Sequence, residues 1–348
     1  MQAPRMTVLD EELTDPDHGW EPRARPIREL LEYGIIPLDK PRGPTSHEVV
    51  AWTRKIVGQE RAGHSGTLDP AVSGVLPIGL GQATKALGLL LMFPKEYWGI
   101  MRVHSSVPRR LLDSTVAEFR GEIFQRPPQR SSVRRDVRTR MIHELELVES
   151  EGNLHLFRCL CESGTYIRKL IYDLGEILGV GATMIELRRT KVGPLTEEDG
   201  LVTLHQLNDA VYRMNLGDES FVRSLVKPIE APLGTIKKII ARDSAVDALC
   251  HGARLGIPGV LQVADGVMKG DTVCLMSAKG ELVALGKALM TTEQITSSKR
   301  GLASTTERVI MKPGTYPKLW KKKNAESASN SEADPSSPNR PSRFKPLS

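Results

Sequence analysis

The sequence predicts an α+β protein: a mixed-sheet main domain followed by a small, mostly β second domain of the barrel type. Three observations lead there. Helical and strand patterns are mixed through the first two thirds of the chain, without the regular strand–helix–strand alternation of a doubly wound sheet. After Pro232 the texture changes to short apolar runs separated by Gly and Asp turns. The length, 348 residues, is enough for two domains.

The elements follow in order. Residues 1–33 are polar, carry Pro22 and Pro26, and read as an extension that either wraps another part of the molecule or is partly loose. Ile35-Ile36-Pro37-Leu38 is a short buried strand. Thr45 is an N-cap with Glu48 three residues on, a capping box, and it opens a helix. Val49, Trp52, Thr53 and Ile56 supply the buried face of that helix at helical spacing. Residues 63–81 are punctuated by Gly63, Gly66, Gly74, Gly79 and Gly81. Residues 97–104 and 154–162 alternate as strands. From Thr165 a helix carries Ile167, Leu170, Ile171, Leu174, Ile177 and Leu178 on one face, and Val180-Gly181 ends it. In the second domain, strands are expected at 236–240, 259–263, 272–276 and 282–285, with one helix from Ser244 to Cys250. The tail, Lys321 to Ser348, holds seven Ser and four Pro and almost no large apolar residue, so disorder is expected there.

Composition narrows the class. The chain is 40% hydrophobic and 26% charged, which is globular usage. It has no uncharged apolar stretch of the roughly 18 residues that a membrane helix needs. The first twenty residues carry five acids and no apolar core, unlike a secretory signal. Cys159, Cys161, Cys250 and Cys274 are too few and scattered for a disulfide scaffold, and packed, reduced thiols in an intracellular protein are expected.

The net charge is +6, and its position is informative. Arg102 to Arg140 contains ten Arg, no Lys and four acids, and this stretch holds the whole surplus. Arg126, Arg130, Arg134, Arg135, Arg138 and Arg140 crowd around Asp136. Like charges this close persist on a solvated face or opposite an anion. Arg favours forked contacts with phosphate. The loop-like run Gln125-Arg126-Pro127-Pro128-Gln129-Arg130-Ser131-Ser132 favours polyanion binding.

There is no phosphate-binding Gly-x-x-x-x-Gly-Lys loop, no complete dinucleotide fingerprint and no His-Glu-x-x-His pair. No cofactor and no metal are expected, so side chains must do the chemistry. The most suggestive stretch is Gly63-His64-Ser65-Gly66-Thr67-Leu68-Asp69-Pro70. Its glycines permit tight turns and close approach to a ligand. Taken alone, Asp69-Pro70 fits a turn better than a functional site, and His64 fits a packed or surface histidine.

That stretch closely resembles the catalytic motif of the TruB-type pseudouridine synthases. Four further segments match the family in order: Leu38-Asp39-Lys40-Pro41-x-Gly43-Pro44-Thr45-Ser46, Lys95-Glu96-Tyr97, Gly164-Thr165-Tyr166-Ile167-Arg168 and Leu187-Arg188-Arg189-Thr190. Arg25-Pro26-Ile27, Gln125-Arg126-Pro127-Pro128, and Asp243-Ser244-Ala245-Val246 followed by His251-Gly252-Ala253 resemble the dyskerin branch and its archaeal counterparts. The resemblance spans roughly residues 19–320. Trp98 and Ser105-Ser106 depart from the expected pattern, being bulkier or less polar.

The resemblance implies an RNA pseudouridine synthase with a catalytic domain at 34–231, a PUA domain at 236–311 and an N-terminal extension, 1–33, packed on the PUA domain. Asp69 would be the essential carboxylate at the sugar–base junction. Arg168 would pair with it in a dry pocket, where its removal would cost about 3–5 kcal/mol. Tyr97 would stack on the base and help move a proton, Leu187 would pack on the base, and His64 would hold the extruded-nucleotide pocket open. Arg126, Arg130, Arg134 and Arg135 would belong to a thumb loop over substrate RNA. His251, Gly252, Ala253, Arg254, Leu255 and Pro258 would hold the ACA end and lower stem of a guide RNA. The implied partners are an H/ACA guide RNA, substrate rRNA or tRNA, and small core proteins of the Nop-ten, Gar-one and L-seven-Ae types. A stand-alone tRNA T-loop enzyme and a non-catalytic RNA scaffold are the alternatives. An archaeal-looking sequence places the protein in the cytoplasm; a eukaryotic one would place it in the nucleolus.

Overall fold

The structure is a computed structural model, and it describes residues 4–126 and 136–318. In chain order the first half runs β1 (Met6–Val8), α1 (Ile27–Glu32), β2 (Gly34–Lys40), α2 (Ser46–Ile56), β3 (Ala62–His64), β4 (Ser73–Leu80), α3 (Leu87–Met92), β5 (Lys95–Val103), α4 (Arg109–Glu118), β6 (Gly121–Gln125), β7 (Arg138–Glu151) and β8 (Leu154–Cys161). Then come α5 (Ile167–Ile177), β9 (Ala182–Val192), β10 (Leu195–Thr196), α6 (Leu204–Asn215), α7 (Ser220–Leu225) and β11 (Lys227–Pro228). The C-terminal part holds β12 (Lys238–Ala241), α8 (Asp243–Cys250), β13 (Leu255–Gly256), β14 (Val260–Ala264), β15 (Thr272–Met276), β16 (Leu282–Lys287), α9 (Thr292–Ser297), β17 (Leu302–Ser304) and β18 (Arg308–Val309).

A ten-stranded mixed sheet is the frame of the main domain. Its strands lie in the order β11-β2-β4-β9-β5-β8-β7-β6, with β3 added on β4 and β10 on β9. The parallel pairing of β4 with β9 is short, Ser73 opposite Arg188 and Gly74 opposite Arg189. That contact joins two sequence-distant motifs. An added Cβ at Gly74 would lie 2.2 Å from the Arg189 carbonyl oxygen, and φ there is +103°, so this close approach requires glycine.

Local chemistry explains the helices. α2 starts at a complete capping box between Thr45 and Glu48. Val49 and Thr53 form its buried centre. Trp52, expected on that face, is 45% exposed, because it precedes Thr53 by one residue and so sits roughly 100° around the helix. α5 buries Ile167, Leu170, Ile171 and Leu174 against β9. Ile177, expected to join them, is exposed in the last turn. The Arg-rich stretch contains more structure than its charge pattern predicts: α4, β6 and the start of the long β7 hairpin all lie in it. Residues 127–135 lie outside the described residues, as does the tail.

The second domain is a six-stranded sheet, β1-β14-β12-β15-β16-β18, with a separate β13–β17 pair. Its edge strand comes from the N-terminus: Met6, Thr7 and Val8 face Ala264, Val263 and Gln262. Arg242 ion-pairs with Asp10 and Glu12, and buried Glu281 accepts from the Trp20 N–H at 2.9 Å and the Tyr316 hydroxyl at 2.7 Å. The two domains share a core in which Leu87, Leu90 and Val192 pack with Cys274, Leu282, Leu285 and Ile310. All four cysteines are buried free thiols.

Arg25 fastens these parts to one another. It is buried, forks onto Glu230 at 2.8 and 2.9 Å, and lies 5.1 Å from the Tyr33 ring centre. Glu230 in turn accepts from the Leu282 N–H at 2.8 Å. Replacing Arg25 leaves a buried carboxylate without its cation. Arg25→Ala is therefore expected to destabilise the protein by about 3–5 kcal/mol in urea unfolding.

Candidate active site

The segment between β3 and β4 is pinned at several points, and its pinning decides where Asp69 stands. Ser65 is buried and donates its hydroxyl to the Leu87 carbonyl at 3.2 Å. Gly66 has φ +80°, and its carbonyl accepts from Arg189 Nη2 at 2.8 Å. Buried Ser46, in the first turn of α2, exchanges two 2.9 Å hydrogen bonds with the main chain of Leu68. Lys40 is fully buried and its ammonium donates to the Val72 carbonyl at 2.9 Å and the Pro70 carbonyl at 3.4 Å. These contacts leave Asp69 at the crest of a fixed turn.

Arg168 meets Asp69 from the first turn of α5, forming a direct ion pair. The Asp69 and Arg168 side chains are 53% and 57% exposed. Among the described residues nothing encloses this pair in the dry pocket expected from the sequence, and the buried-pair cost does not apply. Water screens a pair this exposed, so in this state it contributes little to stability.

The other expected residues take definite places. Tyr97 is half-buried on β5, directly across from Arg189 on β9. Burial pushes its phenol up in pKa, and Arg189 opposes that. Leu187 is buried and shares one apolar cluster with Leu68, Val72, Ile167 and Leu170, and Tyr97 packs on the same cluster. That cluster brings the Asp69 turn, the Tyr97 strand and the Arg168 helix together. His64, at the end of β3, meets the His47 ring edge-on at 5.3 Å, and burial, then His47 and Arg189, push its pKa down. Its Nδ1 is buried without a hydrogen-bond partner among the described residues.

Two residues matter more here than the sequence indicates. Gln125, at the end of β6, is buried and clamps both the N–H (3.0 Å) and the C=O (3.2 Å) of Tyr166, the N-cap of α5. The root of the Arg-rich loop is thus tied to the helix that carries Arg168. Arg189 lies in a recognisable motif, but nothing in the sequence marks it as buried. Arg126 is exposed beside Gln125, whereas Arg130, Arg134 and Arg135 lie outside the described residues.

In the second domain, His251, Gly252, Ala253, Arg254 and Pro258 are exposed around the end of α8. His251 Nδ1 lies 2.8 Å from the Asp247 carbonyl oxygen, and the Ala253 carbonyl accepts from the Thr306 hydroxyl at 2.6 Å. Leu255 does not belong to that surface: it is 1% exposed, and its side chain packs in the domain core. Among the described residues, no group of three or more His, Cys, Asp or Glu is placed to hold a metal ion, and no helix is long and apolar enough to cross a membrane.

Two stability measurements check this geometry. Arg168→Ala is expected to change unfolding free energy by less than about 1 kcal/mol, the range of exposed ion pairs. Lys95 is buried under the same turn and caps the end of α3 through the Leu91 and Phe93 carbonyls, each at 2.7 Å; burial, then Arg189, push its pKa down to about 8. The unfolded chain therefore binds one more proton between about pH 8 and 10.5, so this group makes stability rise with pH across that window. Lys95→Met is expected to remove that component from the pH–stability curve.

Comparison with known proteins agrees along the whole described chain. Residues 54–167 match the TruB family pseudouridylate synthase N-terminal domain, 168–234 the tRNA pseudouridylate synthase B C-terminal domain, 237–310 the PUA domain and 2–50 the DKCLD domain. A probable tRNA pseudouridine synthase B of Methanothermobacter thermautotrophicus is 48% identical over 314 residues, covering 90% of this chain and 97% of the relative. The protein of the same description from Methanosarcina barkeri is 50% identical over 311 residues, covering 89% and 92%. A chain in the crystal structure of a Cbf5–Nop10–Gar1 complex superposes with a TM-score of 0.85 at 47% identity, covering 91% of this chain and 97% of that one. A chain in an H/ACA ribonucleoprotein bound to a substrate RNA containing 2′-deoxyuridine gives 0.85 at 45%, covering 91% and 98%. With its motifs in order, its mixed sheet and its near-complete overlap with these relatives, the chain belongs to the TruB family of pseudouridine synthases, in the branch that carries DKCLD and PUA domains.

Proposed function

We propose that this chain is the catalytic subunit of an H/ACA guide ribonucleoprotein and isomerises uridine to pseudouridine in ribosomal RNA, with tRNA as a further possible substrate class. The observation that carries this reading is the extent of the match. It runs from the N-terminal DKCLD segment through the PUA domain, and the solved relatives stand in complexes with Nop10, Gar1 and substrate RNA. The partners are then a guide RNA, the substrate RNA and the three small core proteins. The relatives reported above are archaeal, which favours the cytoplasm over the nucleolus.

The isomerisation breaks the N1–C1′ bond, turns the base and joins C5 to C1′. The proton lost at C5 balances the one gained at N1. A uridine in a helix is out of reach and must be everted, at a cost of a few kcal/mol. Asp69 acts at the sugar–base junction, with the Arg168 guanidinium paired to its carboxylate. The exposure of this pair suits a site that RNA closes. Once a nucleoside displaces water there, the same two charges interact in a lower dielectric and much more strongly. Tyr97 stacks on the base and handles a proton, Leu187 offers an apolar contact, and His64 keeps the everted pocket open. The exposed residues near His251 and Arg254, with the Arg126 loop, hold RNA backbone.

A second reading, a stand-alone tRNA enzyme, is favoured by the printed description of the relatives as tRNA pseudouridine synthase B. A scaffold without activity would call for loss of Asp69, Tyr97 or Arg168, and all three are present. The test is isomerisation by wild type and Asp69→Asn, first on tRNA with the protein alone, then on rRNA with guide and core proteins. Guide-dependent turnover is expected, with Asp69→Asn inactive while RNA affinity stays within about three-fold, since a lost transition-state contact need not alter binding. Turnover on tRNA alone and none with a guide would overturn the ranking.

A further inference from the structure

Among the described residues four cationic side chains are buried: Arg25, Lys40, Lys95 and Arg189. Arg25 has Glu230 as its counter-ion. Arg189 has no carboxylate partner among the described residues, although it is 1% exposed and ranks with the largest fully buried side chains. A buried guanidinium without a counter-ion is costly, and such groups are retained where their position does something.

Its partners show what that is. Arg189 Nε donates to the Val75 carbonyl at 2.8 Å and Nη2 to the Gly66 carbonyl at 2.8 Å. A Cβ on Gly66 would come within 3.2 Å of Nη1, so the turn lies against the guanidinium face. The Arg189 main chain pairs with Gly74 at the other end of the same segment. One residue therefore grips the turn that bears Asp69 both before and after the aspartate. Across the β5–β9 ladder Arg189 stands opposite Tyr97, and the two side chains interact electrostatically. The charge also reaches His64, Lys40 and Lys95, lowering the pKa of each, although burial has the larger effect on all three.

We propose that Arg189 is a positioning residue for the isomerisation: a buried guanidinium that fixes the Asp69 turn through the Gly66 and Val75 carbonyls and stands beside Tyr97 across the β5–β9 ladder, setting the carboxylate and the phenol in one frame. Lysine cannot reproduce this arrangement, because a planar fork with five N–H groups reaches two carbonyls on either side of the turn in fixed directions and an ammonium does not. The positive charge also favours the phenolate of Tyr97. The other titratable groups facing that hydroxyl are Cys159 and Cys161 of β8, which oppose ionisation. A phenol that takes up and releases a proton during the base rearrangement benefits from a fixed cation beside it. The inference rests on the pseudouridine synthase activity but not on guide dependence.

The test uses the full chain and two variants. Arg189→Lys keeps the charge and loses the fork. Its single-turnover rate at saturating RNA, measured well below its own Tm, is expected to fall about ten-fold or more, with RNA affinity within about three-fold of wild type, because a misplacement near 1 Å costs rate rather than binding. Arg189→Met removes the charge. With fluorotyrosine at position 97, the fluorine resonance reports the phenol directly, and its ionisation midpoint is expected to rise by about one pH unit or more. Wild-type rate in Arg189→Lys, or a rate loss that tracks loss of folded protein and disappears at lower temperature, overturns the proposal. An unchanged midpoint in Arg189→Met also overturns it. If Arg189→Met does not fold, the midpoint is read in Arg189→Lys against wild type: a displaced resonance with slowed turnover supports the proposal, and an unmoved one sinks it. Inactive wild type would count against the activity itself, and the fluorine titration would still decide the role of Arg189.

Discussion

Main-chain carbonyls coordinated by buried cations are the constraint on which this molecule's chemistry depends. The segment from Gly66 to Val75 carries Asp69 at an exposed crest, while Leu68, Val72, Gly74 and Val75 lie inside the protein. Carbonyls turned inward there would be unsatisfied without a donor. Lys40 serves Pro70 and Val72, Arg189 serves Gly66 and Val75, and Ser46 serves Leu68. Each donor comes from a different element, β2, β9 and α2, so the turn is fixed relative to three parts of the domain at once. The donors lie in the motifs that flank Asp69 in sequence, which accounts for why charged residues sit in otherwise apolar strands.

The electrostatics of the site follow from its openness. Asp69 and Arg168 pair in contact with solvent, where their mutual attraction is weak. The attraction grows when a ligand excludes water, so the interaction is strongest in the state where the chemistry occurs. Gln125, the last residue of β6, holds the Tyr166 peptide at the start of α5, two residues from Arg168, so that strand is tied to the helix that carries the pair.

The N-terminal segment welds the domains into a single unit. It adds a strand to the second domain's sheet, threads acids onto Arg242, passes its main chain to Glu281 and ends in the Arg25–Glu230 fork. The shared apolar core at Leu87, Leu282 and Ile310 completes the join. A rigid join keeps the exposed His251–Arg254 corner at a constant distance from Asp69. That is what a protein needs if one end grips an RNA while the other acts on a uridine a set length away.

The sequence by itself determined a good deal. The α2 capping box, the 272–276 strand, the α8 helix, the paired buried thiols and the segments carrying Asp69, Tyr97 and Arg168 are legible because each depends on neighbours within a few residues: a cap, a period, a motif. The sequence also located the positive charge. Tertiary structure decided the rest. Trp52 falls outside α2's buried face because it sits about 100° around the helix from Thr53, and Ile177 is exposed in the last turn of α5. Leu255 turns inward because β13 needs an apolar contact with the second domain's core. Arg168 is solvent-exposed because, among the described residues, no element covers α5's first turn. Arg189 is buried because β9 runs between β4 and β5, a neighbourhood set by pairings across more than ninety residues of chain. Local patterns fix which residues take part; solvent exposure and charge environment depend on what packs over them, and only the folded chain settles that.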